Sequence, residues 1–112
     1  MPHRVVALCL PGLVAFDLTA PGQAFQLASE PSGGPLYAFS SCSSGGAPVE
    51  TTSGFTITPA GDLSCLRRAE TIVVPGYAAV LDRPPADALD ALRAAADRGA
   101  RLLSVCTGAF AL

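Results

Sequence analysis

Residues 101–112 read RLLSVCTGAFAL. Arg101 to Val105 make a short apolar strand, Cys106-Thr107-Gly108 turn sharply, and Ala109 to Leu112 open a helix. A cysteine set between a strand and a helix is the context of a nucleophile elbow, a strained turn that lifts one side chain above a sheet. A helix start favours negative charge, and a thiol placed there carries more thiolate. The Thr107 amide then points toward any oxygen held near the sulfur.

Working back along the chain, the next element is the clearest helix. It begins near Pro84-Pro85, where proline fits a first turn. Leu89, Leu92 and Ala96 recur at helical spacing, Arg93 and Asp97 stand four apart and can pair, and Gly99 supplies a left-handed cap. Before it, Thr71 to Val74 (TIVV) is a β-branched run stopped by Pro75-Gly76. Gly76 has no side chain, so its amide can serve as a second donor beside the elbow; two such donors make an oxyanion hole.

At the other end, Arg4 to Leu10 (RVVALCL) is a continuous apolar run, which suits a buried parallel strand. Pro11-Gly12 end it. A helix is expected from Asp17 to about Ser29, with Pro21 confined to its first turn. Leu36 to Ser41 reads as a second strand. Val49 to Thr52 and Phe55 to Thr58, split by Ser53-Gly54, read as a small hairpin. Asp62 to Ala69 holds one short helical turn. Strands alternating with helices indicate α/β with a largely parallel sheet. Ligands in such sheets bind beyond the carboxyl ends of the strands, where Pro11 to Asp17, Pro75 to Tyr77 and Ser104 to Gly108 gather. The last helix stops after one turn, so the reading is of an incomplete domain.

Asp17 falls at that end of the sheet. Its carboxyl suits a general acid or base, and it also suits a plain N-cap. His3 is the sole histidine of the 112 residues. It is expected to be solvated at the start of the first strand, opposite the elbow, so a Cys-His dyad cannot be assembled. Cys9, Cys42, Cys65 and Cys106 contain no C-x-x-C pair, which leaves zinc and dithiol redox sites without spacing support. Four free thiols are expected: Cys9 in the core, Cys42 and Cys65 without a motif, and no metal or other cofactor.

Composition bounds the rest. Half the residues are apolar, 14% are charged and the formal net charge is −2, which excludes a disordered chain. The seven basic residues are all arginine and are scattered, so these residues offer no patch for nucleic acid. No apolar run is long enough to span a bilayer and no signal-peptide pattern is present; a cytoplasmic protein is expected.

The combination of V-A-F-D-L-T-A-P-G-Q-A-F (Val14 to Phe25), T-I-V-V-P-G-Y (Thr71 to Tyr77) and S-V-C-T-G-A-F-A-L (Ser104 to Leu112) resembles the ThiJ/PfpI family of the class I glutamine amidotransferase-like fold. The resemblance implies a three-layer α/β/α sandwich with a mostly parallel, flavodoxin-like sheet, of which residues 1–112 are the N-terminal part. Two branches are similar. One is the small-ligand-sensing domain at the front of AraC-type transcription regulators, whose DNA-binding half would lie outside these residues. The other is isonitrile hydratase, a cofactor-free enzyme. On that branch Cys106 would be the nucleophile, Asp17 the acid/base and Thr107 a supporting donor, with Gly76, Thr107 and Gly108 around the ligand. Thr107 stands where the proteolytic branch has histidine, which argues against a peptidase. The regulator is the preferred reading, its partner an unidentified small molecule. The family also implies a possible homodimer.

Overall fold

The computed structural model describes residues 2–78 and 84–112. Four parallel strands form the central sheet: β1 (His3–Leu8), β2 (Tyr37–Cys42), β5 (Thr71–Val74) and β6 (Arg101–Ser104), in the spatial order β2-β1-β5-β6. Two short strands, β3 (Val49–Glu50) and β4 (Thr56–Ile57), pair antiparallel as a separate hairpin. Helix α1 (Ala15–Leu27) connects β1 to β2, and α2 (Ala86–Asp97) precedes β6.

The register explains the apolar runs. Val6 pairs with Ile72, and Val73 with Leu103. Side chains alternate across a strand, so β1 and β5 supply both faces. Val6, Leu8, Leu10, Ile72 and Val74 pack with Ala88, Leu92 and Ala95 of α2 and with Leu66. Val5, Ala7, Cys9 and Val73 pack with Leu18 of α1, and Phe25 lies against them. Strands covered on both faces need this composition, and the α/β/α layering follows. The edge strand β6 is the exception, with Leu102 and Leu103 partly open to solvent. Among the described residues no helix is long and apolar enough to cross a membrane.

Several sequence expectations need correcting. Helix α1 starts at Ala15, two residues earlier than expected, and Pro21 lies inside it. Its N-cap is Val14, with no side-chain bond, so Asp17 is a first-turn residue and not a cap. The contacts of Leu18 and Phe25 hold the helix together past the proline, as tertiary packing commonly overrides propensity. On α2 the fully buried stripe is Ala88, Leu92 and Ala95, while Leu89 is half-buried and Ala96 exposed. The small alanines let the helix lie close against the sheet. The Arg93–Asp97 pair is not among the ion pairs of the described residues, which are His3–Glu70 and Arg4–Glu70. His3 is not merely solvated: one ring nitrogen lies 2.8 Å from Thr71 Oγ1 and the other 3.0 Å from Glu70 Oε2. The strand predicted to include Cys9 ends at Leu8.

The short turn expected between Asp62 and Ala69 is a 3-10 helix, Leu63–Arg67, capped by the Asp62 carboxylate accepting from the Ser64 amide at 2.9 Å. Gly99, at φ +99°, ends α2 as expected. Arg98 then ties that end to the 3-10 turn, donating to the carbonyls of Leu66 at 2.8 Å and Ala69 at 3.1 Å.

Candidate functional site

The site is assembled from three loops at the carboxyl end of the sheet. Parallel pairing places the ends of β5 and β6 side by side, and the pairing continues past them, with the Val105 amide donating to the Val74 carbonyl at 3.0 Å. The chain then turns. Cys106 has φ +52° and is the one non-glycine residue with positive φ among the described residues. A left-handed conformation costs an L-residue about 1–2 kcal/mol, so the strained elbow read from the sequence is present. The thiol side is exposed.

The element that follows differs from expectation. It is a 3-10 helix from Cys106 to Ala111, six residues long, not an α-helix opening at Ala109. Short helical pieces commonly take this form. Its macrodipole is correspondingly smaller than that of a full helix.

Gly108 seats the elbow on the sheet. It is buried, and a Cβ there would overlap the Val74 carbonyl oxygen, with the Pro75 oxygen 3.0 Å away. Only glycine lets the turn settle on the end of β5. Thr107 fastens the same two loops. Its hydroxyl accepts from the Tyr77 amide at 2.9 Å and donates to the Tyr77 carbonyl at 2.9 Å. The hydroxyl is thus committed to the backbone, which removes it as a side-chain donor and makes it a positioning group.

Asp17 arrives from the third loop. Leu13 is bridged on one side to Tyr77 and on the other to Thr51, and the Val14 amide donates to the Gly76 carbonyl at 2.9 Å. That stitching delivers the first turn of α1 to the elbow. Gly76 lies at the centre. A Cβ built on it would stand 2.5 Å from Asp17 Oδ2, 3.0 Å from Thr107 Oγ1 and 3.4 Å from Cys106 Cβ. Four of the five residues singled out around the elbow, Asp17, Gly76, Cys106 and Thr107, therefore meet within the space of one methyl group. Asp17 Oδ2 is buried and has no hydrogen-bond partner among the described residues. Leaving such an acceptor unpaired costs about 1–3 kcal/mol.

Tyr77 is the residue sequence reasoning did not single out. Its backbone carries the Thr107 clamp, its ring is buried in the core, and its hydroxyl has no partner among the described residues. Burial pushes its phenol above the usual value. Its place directly after Pro75-Gly76 was the available signal. His3 stays at the opposite end of the sheet, paired in register with Tyr37, so no histidine among the described residues reaches Cys106.

The cysteines separate cleanly. Cys9 and Cys42 are buried, and burial pushes their thiols up to about 11 and about 12. At pH 8 their thiolate fractions lie roughly a hundredfold and a thousandfold below that of an ordinary thiol, and the thiolate is the reacting form. Brief iodoacetamide treatment of the native chain is therefore expected to label Cys106 first and to spare Cys9 and Cys42 until denaturant is added. Peptide mass mapping reads the order directly; early labelling of Cys42 would contradict the packing described.

No family model matches the chain. It is 36% identical over 112 residues to an uncharacterized protein encoded in the cpoL 5′ region of Streptomyces lividans, covering 99% of this chain and 78% of that one. Among solved structures it superposes on a ThiJ/PfpI family protein from Pseudomonas syringae with a TM-score of 0.75 and 26% identity, covering all of this chain and 45% of that one. An AraC family transcriptional regulator from Pseudomonas putida matches with a TM-score of 0.69 and 23% identity over 96% of this chain and 67% of that one. The chain spans about half the length of the first two solved structures it matches.

Proposed function

We propose that the chain, which shares the fold of a ThiJ/PfpI family protein, is the small-molecule-sensing part of an AraC-type transcription regulator. Residues 1–112 would be the N-terminal part of the sensing domain, with DNA contacts made by residues outside them. One observation carries the reading: the unpartnered, buried Asp17 Oδ2 beside an exposed Cys106. An acceptor held open at that point selects a ligand with an N–H or O–H group, because only a donor relieves its desolvation. Gly76 lets Asp17 and Thr107 close in beside Cys106, and Cys106 contributes its exposed thiol to the lining. The fold likeness to the AraC family regulator supports the same choice.

A second reading is an isonitrile hydratase-like enzyme. The Cys106 thiolate would add to the isonitrile carbon while Asp17 supplies the proton. Water would then add to the resulting thioimidate and expel the thiol, leaving an N-substituted formamide. The proximity of Asp17 and Cys106 around Gly76 favours it. The commitment of the Thr107 hydroxyl to Tyr77 counts against it, because one donor assigned to that mechanism is already used.

An alkyl isonitrile incubated with the protein separates the two. Sensing predicts no formamide above the uncatalysed rate, with the isonitrile recovered intact. Turnover that falls at least ~10³-fold in Cys106→Ser and in Asp17→Asn would establish the enzyme instead and overturn the sensor reading.

A further inference from the structure

A cysteine pair lies at the far edge of the sheet, apart from the elbow. Cys42 ends β2, and the order β2-β1-β5-β6 puts it on the edge opposite β6 and Cys106. Three strand spacings of ~4.8 Å separate the two edges. Beyond β2 the chain returns alongside it. The Gly61 amide donates to the Ser41 carbonyl at 3.1 Å, the Ser43 amide donates to the Gly61 carbonyl at 3.2 Å, and Cys42 and Gly61 form a parallel bridge. Side chains of bridged residues leave the same face of a sheet, about one strand spacing apart.

Gly61 has no side chain, and its place is taken by another residue. Cys65 Sγ stands against the Gly61 Cα where a Cβ would be. The Cys65 sulfur thus occupies the position beside the Cys42 side chain. Both residues belong to the packing on the α2 face, whereas Cys9 faces the other way. Burial pushes the Cys42 thiol up, and a charge on Cys65 adds to that push. Cys65 is held there by the capped turn, its amide donating to the Asp62 carbonyl at 3.1 Å. It is half-buried and reachable from solvent, while Cys42 is fully covered.

We propose that Cys42 and Cys65 are a redox modification site that closes to a disulfide under a peroxide. In the first step peroxide oxidises the Cys65 thiol by two electrons, giving the sulfenic acid and one water. In the second the Cys42 sulfur attacks the Cys65 sulfur. A bond forms between the sulfurs, the S–O bond breaks, and the hydroxide leaves as water with the Cys42 proton. Burial keeps the Cys42 thiolate scarce, so closure is slow at neutral pH and quickens as pH rises. The closed bridge fixes the end of β2 to the 3-10 turn on which α2 rests.

The test uses the full chain carrying Cys106→Ser, so that the elbow does not consume oxidant. After hydrogen peroxide, denaturation and alkylation, the expected count of free thiols falls from three to one. The intact mass drops by two hydrogens, and peptide mapping joins the segments holding Cys42 and Cys65. Adding Cys65→Ser leaves Cys9 and Cys42 both free. If the serine variant fails to fold, the parent chain with Cys106 blocked by brief alkylation gives the same readout. Three persistent free thiols, or Cys65 driven to sulfinic acid without a cross-link, at a dose that fully oxidises Cys106 in the parent chain, would overturn the assignment.

Discussion

Gly108→Ala is expected to destabilise the chain by about 3 kcal/mol or more, the upper range for overpacking a filled site. The added methyl overlaps the Val74 carbonyl oxygen, which is backbone in a central strand and cannot swing aside as a side chain would. Either β5 shifts within the sheet or the elbow lifts from it. Domains hold only about 5–15 kcal/mol in total, so the loss is a large share. Gly33→Ala is the matched control. Gly33 has φ +92° and no heavy atom within 4 Å of the new methyl, leaving only a conformational cost of ~1 kcal/mol. Urea unfolding of both variants and the parent chain measures the difference; equal midpoints for the two variants would mean that Gly108 does not seat the elbow.

The second large effect is alkaline unfolding. Burial raises Cys9 and Cys42 from 9.0 to about 11 and about 12. Between pH 9 and pH 11 the unfolded thiols have lost their protons while the folded ones retain them. The folded state binds more protons over that window, so its stability falls as pH rises. The contribution is fully present below pH 9 and gone once the folded thiols ionise. For Cys9 alone it is roughly 3 kcal/mol, and Cys42 adds to it in the same direction. The buried Tyr77 phenol, also pushed upward, acts with the same sign. Unfolding free energy from urea titrations should be flat from pH 7 to 8 and decline steadily above pH 9. Cys9→Ala should flatten part of that decline, whatever it costs at neutral pH.

The sheet was legible because its signals are local and redundant. RVVALCL and TIVV are apolar on both faces, and each stops at a Pro-Gly pair, so strand, burial and turn agree. The elbow was legible for the same reason: strand, cysteine and Gly108 stand in one short stretch. The grouping of Asp17, Gly76 and Thr107 with Cys106 followed from placing three loops at one end of a parallel sheet. What escaped the reading depends on contacts made across the chain. Nothing local to Thr107 says that its hydroxyl is spent on Tyr77. The start of α1 depends on Leu13 being stitched between Thr51 and Tyr77, distant in sequence. The buried stripe of α2 slipped by one residue because alanines lie on several of its sides, and which of them meets Leu66 is decided by the 3-10 turn. His3 looked solvated because Glu70 and Thr71, which hold it, arrive much later in the chain.

Pro21 lies inside α1 one helical turn after Asp17. Proline has no N–H to give the carbonyl four residues back, and its ring crowds that same carbonyl. The carbonyl is that of Asp17. The helix therefore has a joint between the turn that carries the acid and the turns that carry Phe25, which meets Tyr37 edge-on at 4.8 Å. Bending at such a joint is far easier than bending a continuous helix. The acid's own turn is stitched to the Gly76 loop through Leu13 and Val14, so the joint uncouples Asp17 from the aromatic packing behind it.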